Sequence, residues 1–217
     1  WSALGFAQRV MVWGCLGGPL HSQAMPSAPS KRPALSGAAR HAAAKKPQNP
    51  VPKGPPSHEI RIIGGQWRGR RLSFTPAEGL RPTADRVRET LFNWLAPSIH
   101  GARCLDLFAG SGALGLEALS RGAASCDFVD TSAGAARQIG LHLQILQAGA
   151  MARCHVMPAL AFLQQSTGCH DIVFIDPPFG KNLVDPVCEL LAGAERVAPG
   201  GFIYIETAVG DPAPKVP

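Results

Sequence analysis

Residues 104–122 read CLDLFAGSGALGLEALSRG, and this stretch decides the fold class. Leu105, Leu107 and Phe108 mark a short buried strand, and ALGLEALSRG has the composition of a helix. Between them, Phe108-Ala109-Gly110-Ser111-Gly112-Ala113-Leu114-Gly115 puts glycines where a backbone approaches a ligand closely or adopts positive φ. The helix N-terminus behind that turn attracts an acidic or electron-rich group. GSGALG also satisfies the dinucleotide fingerprint G-x-G-x-x-G, so the turn marks a nucleotide-type ligand without choosing a chemistry.

Downstream, the alternation continues. CDFVD (126–130), ARCHVM (152–157), HDIVFID (170–176) and GGFIYIET (200–207) predict four further strands. Between them, residues 132–148, 159–166 and 183–195 predict helices. Strands alternating with helices of this length predict an α/β fold, a Rossmann-like doubly wound parallel sheet covered on both faces. No internal repeat is visible. Upstream, EIRIIGG (59–65) and RGRRLSF (68–74) predict a small β-hairpin split by Gly64-Gly65. TADRVRETLFNWLA (83–96) predicts a helix opened by Pro82-Thr83 and stopped by Pro97. The domain reading is therefore a tail over 1–58, an Arg-rich hairpin and helix over 59–97, and the alternating domain over 98–217. Residues 21–58, rich in Pro, Ala, Ser and Lys, cannot bury enough surface to offset their ordering entropy and are expected to be disordered. The apolar first twenty residues are interrupted by Arg9 and read as a translation artefact or a non-native leader, with Met25 as a natural start.

The most informative stretch is Ile172-Val173-Phe174-Ile175-Asp176-Pro177-Pro178-Phe179. Four apolar residues form a buried strand that delivers a carboxylate, two prolines and an aromatic ring to the ligand-binding edge of the sheet. The pattern suits an exocyclic amine on a nucleic-acid base, a poor nucleophile because its lone pair is delocalised into the ring. Acceptors from Asp176 and the Pro177 carbonyl hold its two hydrogens and aim the lone pair. Phe179 stacks on the base, a contact worth about 1–3 kcal/mol. Rate enhancement then comes mainly from positioning. On the cofactor side, Asp130 ends the second strand, where a carboxylate accepts hydrogen bonds from ribose hydroxyls, with Thr131 beside it. Asp106 lies just ahead of the turn.

Charge is uneven: +7 over residues 1–58, +3 over 59–100 and −4 over 101–217. What matters is therefore the local cluster of Arg68, Arg70, Arg71, Arg81, Arg86 and Arg88, which is expected to meet phosphate and to give salt-sensitive RNA binding. The six cysteines are scattered without a C-x-x-C pair, which predicts neither zinc nor a disulfide framework and suggests a reducing cytoplasm. No apolar run reaches the roughly 18 residues of a membrane span.

IRIIGGQWRGR, LRPTADRVRETLFNWL, DLFAGSGALGLEALSRGA and VFIDPPF together resemble the bacterial 16S rRNA guanine-N2 methyltransferases, from about Ile60 to Thr207. The resemblance implies a class I methyltransferase fold, S-adenosylmethionine as donor, and the 2-amino group of one guanine of 16S rRNA in the small ribosomal subunit as acceptor. It implies that Asp106 holds the amino-acid end of the cofactor, and that Phe108, Ala109, Gly110, Ser111, Gly112, Gly115, Asp130 and Thr131 surround the rest. A cytoplasmic monomer without metal is the expected form.

Two departures stand out. Where such enzymes often bind the cofactor's adenine with Asp or Asn, this chain has Met157-Pro158-Ala159-Leu160, so adenine is expected to meet backbone and apolar neighbours around Ala159. A class I sheet also ends in an antiparallel pair of strands, and here only five strands are predicted. The expectation is a sheet lacking its last two strands, truncated at the C-terminus, with an open edge and poor stability. Three other readings compete: an adenine-N6 amino methyltransferase on DNA or RNA, a nicotinamide-dependent dehydrogenase, and a non-catalytic RNA-binding relic.

Overall fold

The computed structural model describes residues 8–14, 18–24, 58–74, 85–178, 180–193, 195–208 and 214. In chain order these form β1 (Gln8–Gly14), β2 (Gly18–Ala24), β3 (His58–Arg61), β4 (Arg71–Phe74), α1 (Asp85–Trp94), β5 (Arg103–Asp106) and α2 (Ala113–Ser120). There follow β6 (Ser125–Asp130), α3 (Ala133–Ile145), a 3₁₀ turn, β7 (Ala152–Val156), α4 (Ala159–Gln165), β8 (His170–Ile175), α5 (Val184–Gly193) and β9 (Val197–Ala208).

β5 to β9 pair in parallel in the order β7-β6-β5-β8-β9. Successive side chains of a strand point to opposite faces, and the apolar residues divide accordingly. Cys104, Phe128, Phe174 and Tyr204 pack with Leu91 and Phe92 of α1, Leu116 of α2 and Ile139 of α3. Leu105, Val129, Val173 and Ile205 pack with Phe162 and Leu163 of α4 and Val187 and Leu191 of α5. The sheet is thus covered on both faces, as the alternating pattern predicts.

The edge of β9 is not open. β1 pairs with it antiparallel, Gln8 against Ala208 through Gly14 against Phe202, and β2 pairs with β1, giving seven strands. Residues 8–14 and 18–24, expected in a leader and tail, are strands instead. The β-prone run Val10-Met11-Val12-Trp13 carries that signal, and an unpaired strand edge is what recruits it. The expected disorder of 25–57 lies outside the described residues.

β3 and β4 form the predicted antiparallel hairpin, with Ile60 opposite Leu72. Its loop seats on the end of α2. Gln66 N–H donates to Ser120 O at 2.7 Å, Trp67 N–H donates to Ser120 Oγ at 3.0 Å, and Ser120 Oγ–H donates to Gly64 O at 2.6 Å. Gly65 is required here twice over: its φ is +76°, and a Cβ would lie 1.8 Å from Ser120 O. Gly69, at φ +83°, has open space around it. We therefore expect Gly69→Ala to lower stability only by the conformational strain, about 1–2 kcal/mol. Gly65→Ala should cost clearly more, because the hairpin must leave α2, and paired thermal melts of the two variants check this ordering.

Candidate active site

β5 and β8 are neighbours, with Asp106 in register with Phe174 and Leu107 N–H donating to Phe174 O at 3.1 Å. Their carboxyl ends release the glycine turn and Asp176-Pro177-Pro178 side by side. Strand order reverses at the same place, with β6 and β7 on one side and β8 and β9 on the other. Open α/β sheets hold ligands at such a reversal.

The glycine turn is fixed from within. Gly110 and Gly112 have φ of +50° and +79°. A Cβ on Gly115 would meet the Phe128 ring at 2.2 Å, so this glycine lets α2 close on β6. Asp130 Oδ2 accepts from Gly110 N–H at 2.8 Å, and its Oδ1 accepts from Ser132 N–H at 2.7 Å. Asp106 Oδ2 accepts from Gly115 N–H at 3.1 Å. Burial pushes the Asp106 carboxyl up to about 7 despite that donor, and the Asp130 charge pushes in the same direction. A cation placed between these two carboxylates would relieve both effects. Phe108 is half-buried, Ala109 and Ser111 are buried, and Thr131 is exposed beside Asp130. Ala159 is buried at the first residue of α4, behind β7, whose exit is tied to β6 by Met157 N–H donating to Asp130 O at 3.0 Å.

On the other side of β8 lies a cleft of about 170 Å³, lined by Pro177, Pro178, Asn182, Asp185, Glu206 and Thr207 among others. Pro177 is buried, Pro178 exposed and Asp176 half-buried. Phe179 lies outside the described residues. Glu206, Thr207 and Tyr204 were missed from sequence. The signal was present: Phe-Ile-Tyr-Ile-Glu repeats the Ile-Val-Phe-Ile-Asp pattern of an apolar strand ending in a carboxylate. Ile175 and Ile205 are register partners, so Asp176 and Glu206 follow at matching positions.

The arginines separate into two groups. Arg68, Arg70 and Arg71 are exposed on the hairpin, Arg71 pairing with Glu59 at 3.0 Å, and Arg86 is exposed on α1. Arg81 lies outside the described residues. Arg88, expected at the RNA face, is instead 1% exposed. Its Nη2 donates to Arg61 O at 2.9 Å and to Asp85 Oδ1 at 2.7 Å, and its Nη1 lies 3.9 Å from Glu117 Oε2. It sits on the apolar face of α1 with Val87, Leu91 and Phe92, and the buried carboxylate of Glu117 keeps it there.

The family described as Conserved hypothetical protein 95 matches residues 60–217. The chain is 51% identical to ribosomal RNA small subunit methyltransferase D of Escherichia coli over 161 residues, covering 74% of this chain and 81% of that protein. It is 46% identical to the Haemophilus influenzae protein of the same name, covering 77% and 86%. The solved structure of the Escherichia coli protein yhhF matches with a TM-score of 0.67 and 48% identity, covering 74% of this chain and 86% of that one. With its fold and its sequence matching over most of its length, the chain belongs to the Conserved hypothetical protein 95 family, alongside the ribosomal RNA small subunit methyltransferases D.

Proposed function

We propose that this protein transfers a methyl group from S-adenosylmethionine to the exocyclic 2-amino group of a guanine in small-subunit rRNA. The observation that carries the reading is the Asp176-Pro177-Pro178 segment, which leaves β8 between the glycine turn and the cleft. The names of the relatives support rRNA as the substrate class. The guanine amino group is the reading of the family resemblance.

The residues divide the work. S-adenosylmethionine supplies an electrophilic methyl on its sulfonium. Asp106 is assigned to the ammonium end of that molecule and Asp130, beside Thr131, to its ribose. The turn from Phe108 to Gly112 gives the backbone room to lie close, and Ala159 offers an apolar wall for the adenine. Across β8, the Asp176 carboxylate and Pro177 carbonyl accept the two amine hydrogens and turn the nitrogen lone pair away from the ring. Asp176 is assigned to take the proton that the nitrogen loses as its bond to the methyl forms. Phe179 is assigned to stack on the base. The exposed Arg68, Arg70, Arg71 and Arg86, with Arg81, are assigned to rRNA phosphate; Arg88 is not.

Incubation with radiolabelled S-adenosylmethionine and unmethylated small subunits, followed by digestion to nucleosides, should place the label in 2-methylguanosine. Label in methyladenosine would refute the guanine reading. Asp176→Ala should abolish transfer while leaving S-adenosylhomocysteine binding intact, as measured by calorimetry. A steep salt dependence of RNA affinity is expected, with Arg70→Gln lowering the slope of log affinity against log salt by roughly one.

Asp106 generates a pH prediction. Its pKa stands at about 7 in the free protein, and a bound ammonium favours the ionised form. S-adenosylhomocysteine affinity should therefore rise as pH climbs from 6 toward 7.5, while the ligand's amino group remains protonated. Asp106→Asn should bind more weakly and lose the rise, and titrations at the two pH values distinguish the cases.

A further inference from the structure

We infer that the cleft between β9 and the start of α5 is a second RNA subsite. It takes the base of a nucleotide next to the acceptor guanine, with the Thr207 hydroxyl as its buried hydrogen-bonding group. This subsite presupposes the rRNA substrate proposed above and extends the contact by one nucleotide.

The cleft and the acceptor carboxylate belong to opposite faces of the sheet. Ile175 and Ile205 are register partners, and both pack with Val187 and Leu191 of α5. Thr207, two residues beyond Ile205, shares that face, because side chains alternate along a strand. There it borders the cleft with Asn182, Leu183 and Asp185 at the start of α5. Asp176, next after Ile175, turns to the other face, where Phe174 and Tyr204 pack with Phe92 of α1. Burial, Glu206 and Asp176 together push the Tyr204 phenol well above its ordinary range, which places the Asp176 charge on that side. An amine held by the Asp176 carboxylate therefore lies on the α1 side of the sheet. Pro177 and Pro178 follow at once and border the cleft, which is left for a neighbouring group of the same RNA.

The lining chooses which group. Thr207 is 4% exposed, and its Oγ1 has no hydrogen-bond partner among the described residues. A buried hydroxyl without a partner is costly, and a ligand bonded to it removes the cost. Pro177, Leu183 and Pro214 supply apolar walls. Among the described residues no Lys or Arg borders the cleft, whereas Asp185 does, so a phosphate is repelled rather than held. A nucleobase matches both features. Its faces are apolar, and its edge carries ring-nitrogen or carbonyl acceptors for the Thr207 hydroxyl. Unpaired RNA bases are bound in this way, by contacts to their faces and hydrogen bonds to their edges. Every base carries such an acceptor, so the subsite fixes where the neighbour sits more than which base it is. Holding that neighbour out of its stack sets the position of the acceptor amine, which is what methyl transfer requires.

Thr207→Val removes the hydroxyl and keeps the shape of the side chain. Because the hydroxyl has no partner in the free protein, the melting temperature should stay equal or rise. KM for unmethylated small subunits should increase about fivefold, with kcat within about twofold and S-adenosylhomocysteine affinity unchanged. Thr207→Ser, which keeps the hydroxyl, should stay near the wild-type KM. The modified guanine is then mapped with wild type, and small subunits are reassembled with an abasic ribose immediately before or after it. One of these two substrates should raise the wild-type KM about tenfold, and on it Thr207→Val and wild type should agree within about twofold. A lower melting temperature for Thr207→Val would make the hydroxyl a structural partner and overturn the subsite. So would the same ratio of variant to wild-type KM on all three substrates. Either result, with 2-methylguanosine formed by wild type, leaves the proposed function standing; absence of 2-methylguanosine from the wild-type product overturns both.

Discussion

The rest of the site depends on a single carboxylate buried inside the helix that follows the glycine turn. Glu117 is the only charge in the otherwise apolar run Ala113–Ser120, and it is 0% exposed. Its Oε2 and Oε1 accept from Ile63 N–H and Gly64 N–H, each at 2.8 Å, and Oε1 also accepts from Arg121 Nε at 2.7 Å. Arg88 of α1 approaches it at 3.9 Å, and Arg121 lies over the Phe92 ring at 5.2 Å. Removing one partner from such a buried set leaves an uncompensated charge and costs about 3–5 kcal/mol. The result is that the hairpin, α1 and α2 share one polar centre.

That centre joins two surfaces that the sequence keeps far apart. α2 is the helix whose N-terminus carries the glycine turn, and its C-terminus carries the hairpin with Arg68, Arg70 and Arg71. The surface assigned to rRNA is therefore fixed to the element assigned to the cofactor without a flexible joint between them. The core on that face continues through Phe92 and Phe174, with ring centroids 5.9 Å apart, to Tyr204 at 6.2 Å from Phe174. Phe174 is two residues before Asp176, and Tyr204 two before Glu206. A continuous packed layer thus runs from the arginine hairpin to the cleft beside Pro177 and Pro178.

The sheet solves a separate problem. Parallel strands buried on both faces leave their last member with an unpaired edge, and here β1 and β2 supply the pairing from the beginning of the chain. β9 is held along Phe202–Ala208, including the residues that end at the cleft. Order at Glu206 and Thr207 is in this way a property of strands separated by nearly the whole sequence.

By itself, the sequence determined the alternating α/β fold, the glycine turn with Asp106 and Asp130, the hairpin of residues 59–74, and Asp176-Pro177-Pro178. Each of these is legible because periodicity, turn chemistry and strand-end position are local properties of the chain. Only tertiary structure decided that Arg88 is a buried partner of Asp85 and Glu117 rather than a phosphate ligand. Charge on a helix says nothing of which face is covered, and Arg61, the hairpin residue that takes its hydrogen bond, lies 27 residues upstream. Tertiary structure likewise decided that residues 8–14 and 18–24 complete the sheet, since edge pairing has no local code. It also decided that Glu206 and Thr207 stand beside the acceptor segment, because parallel register brings together strand ends about thirty residues apart.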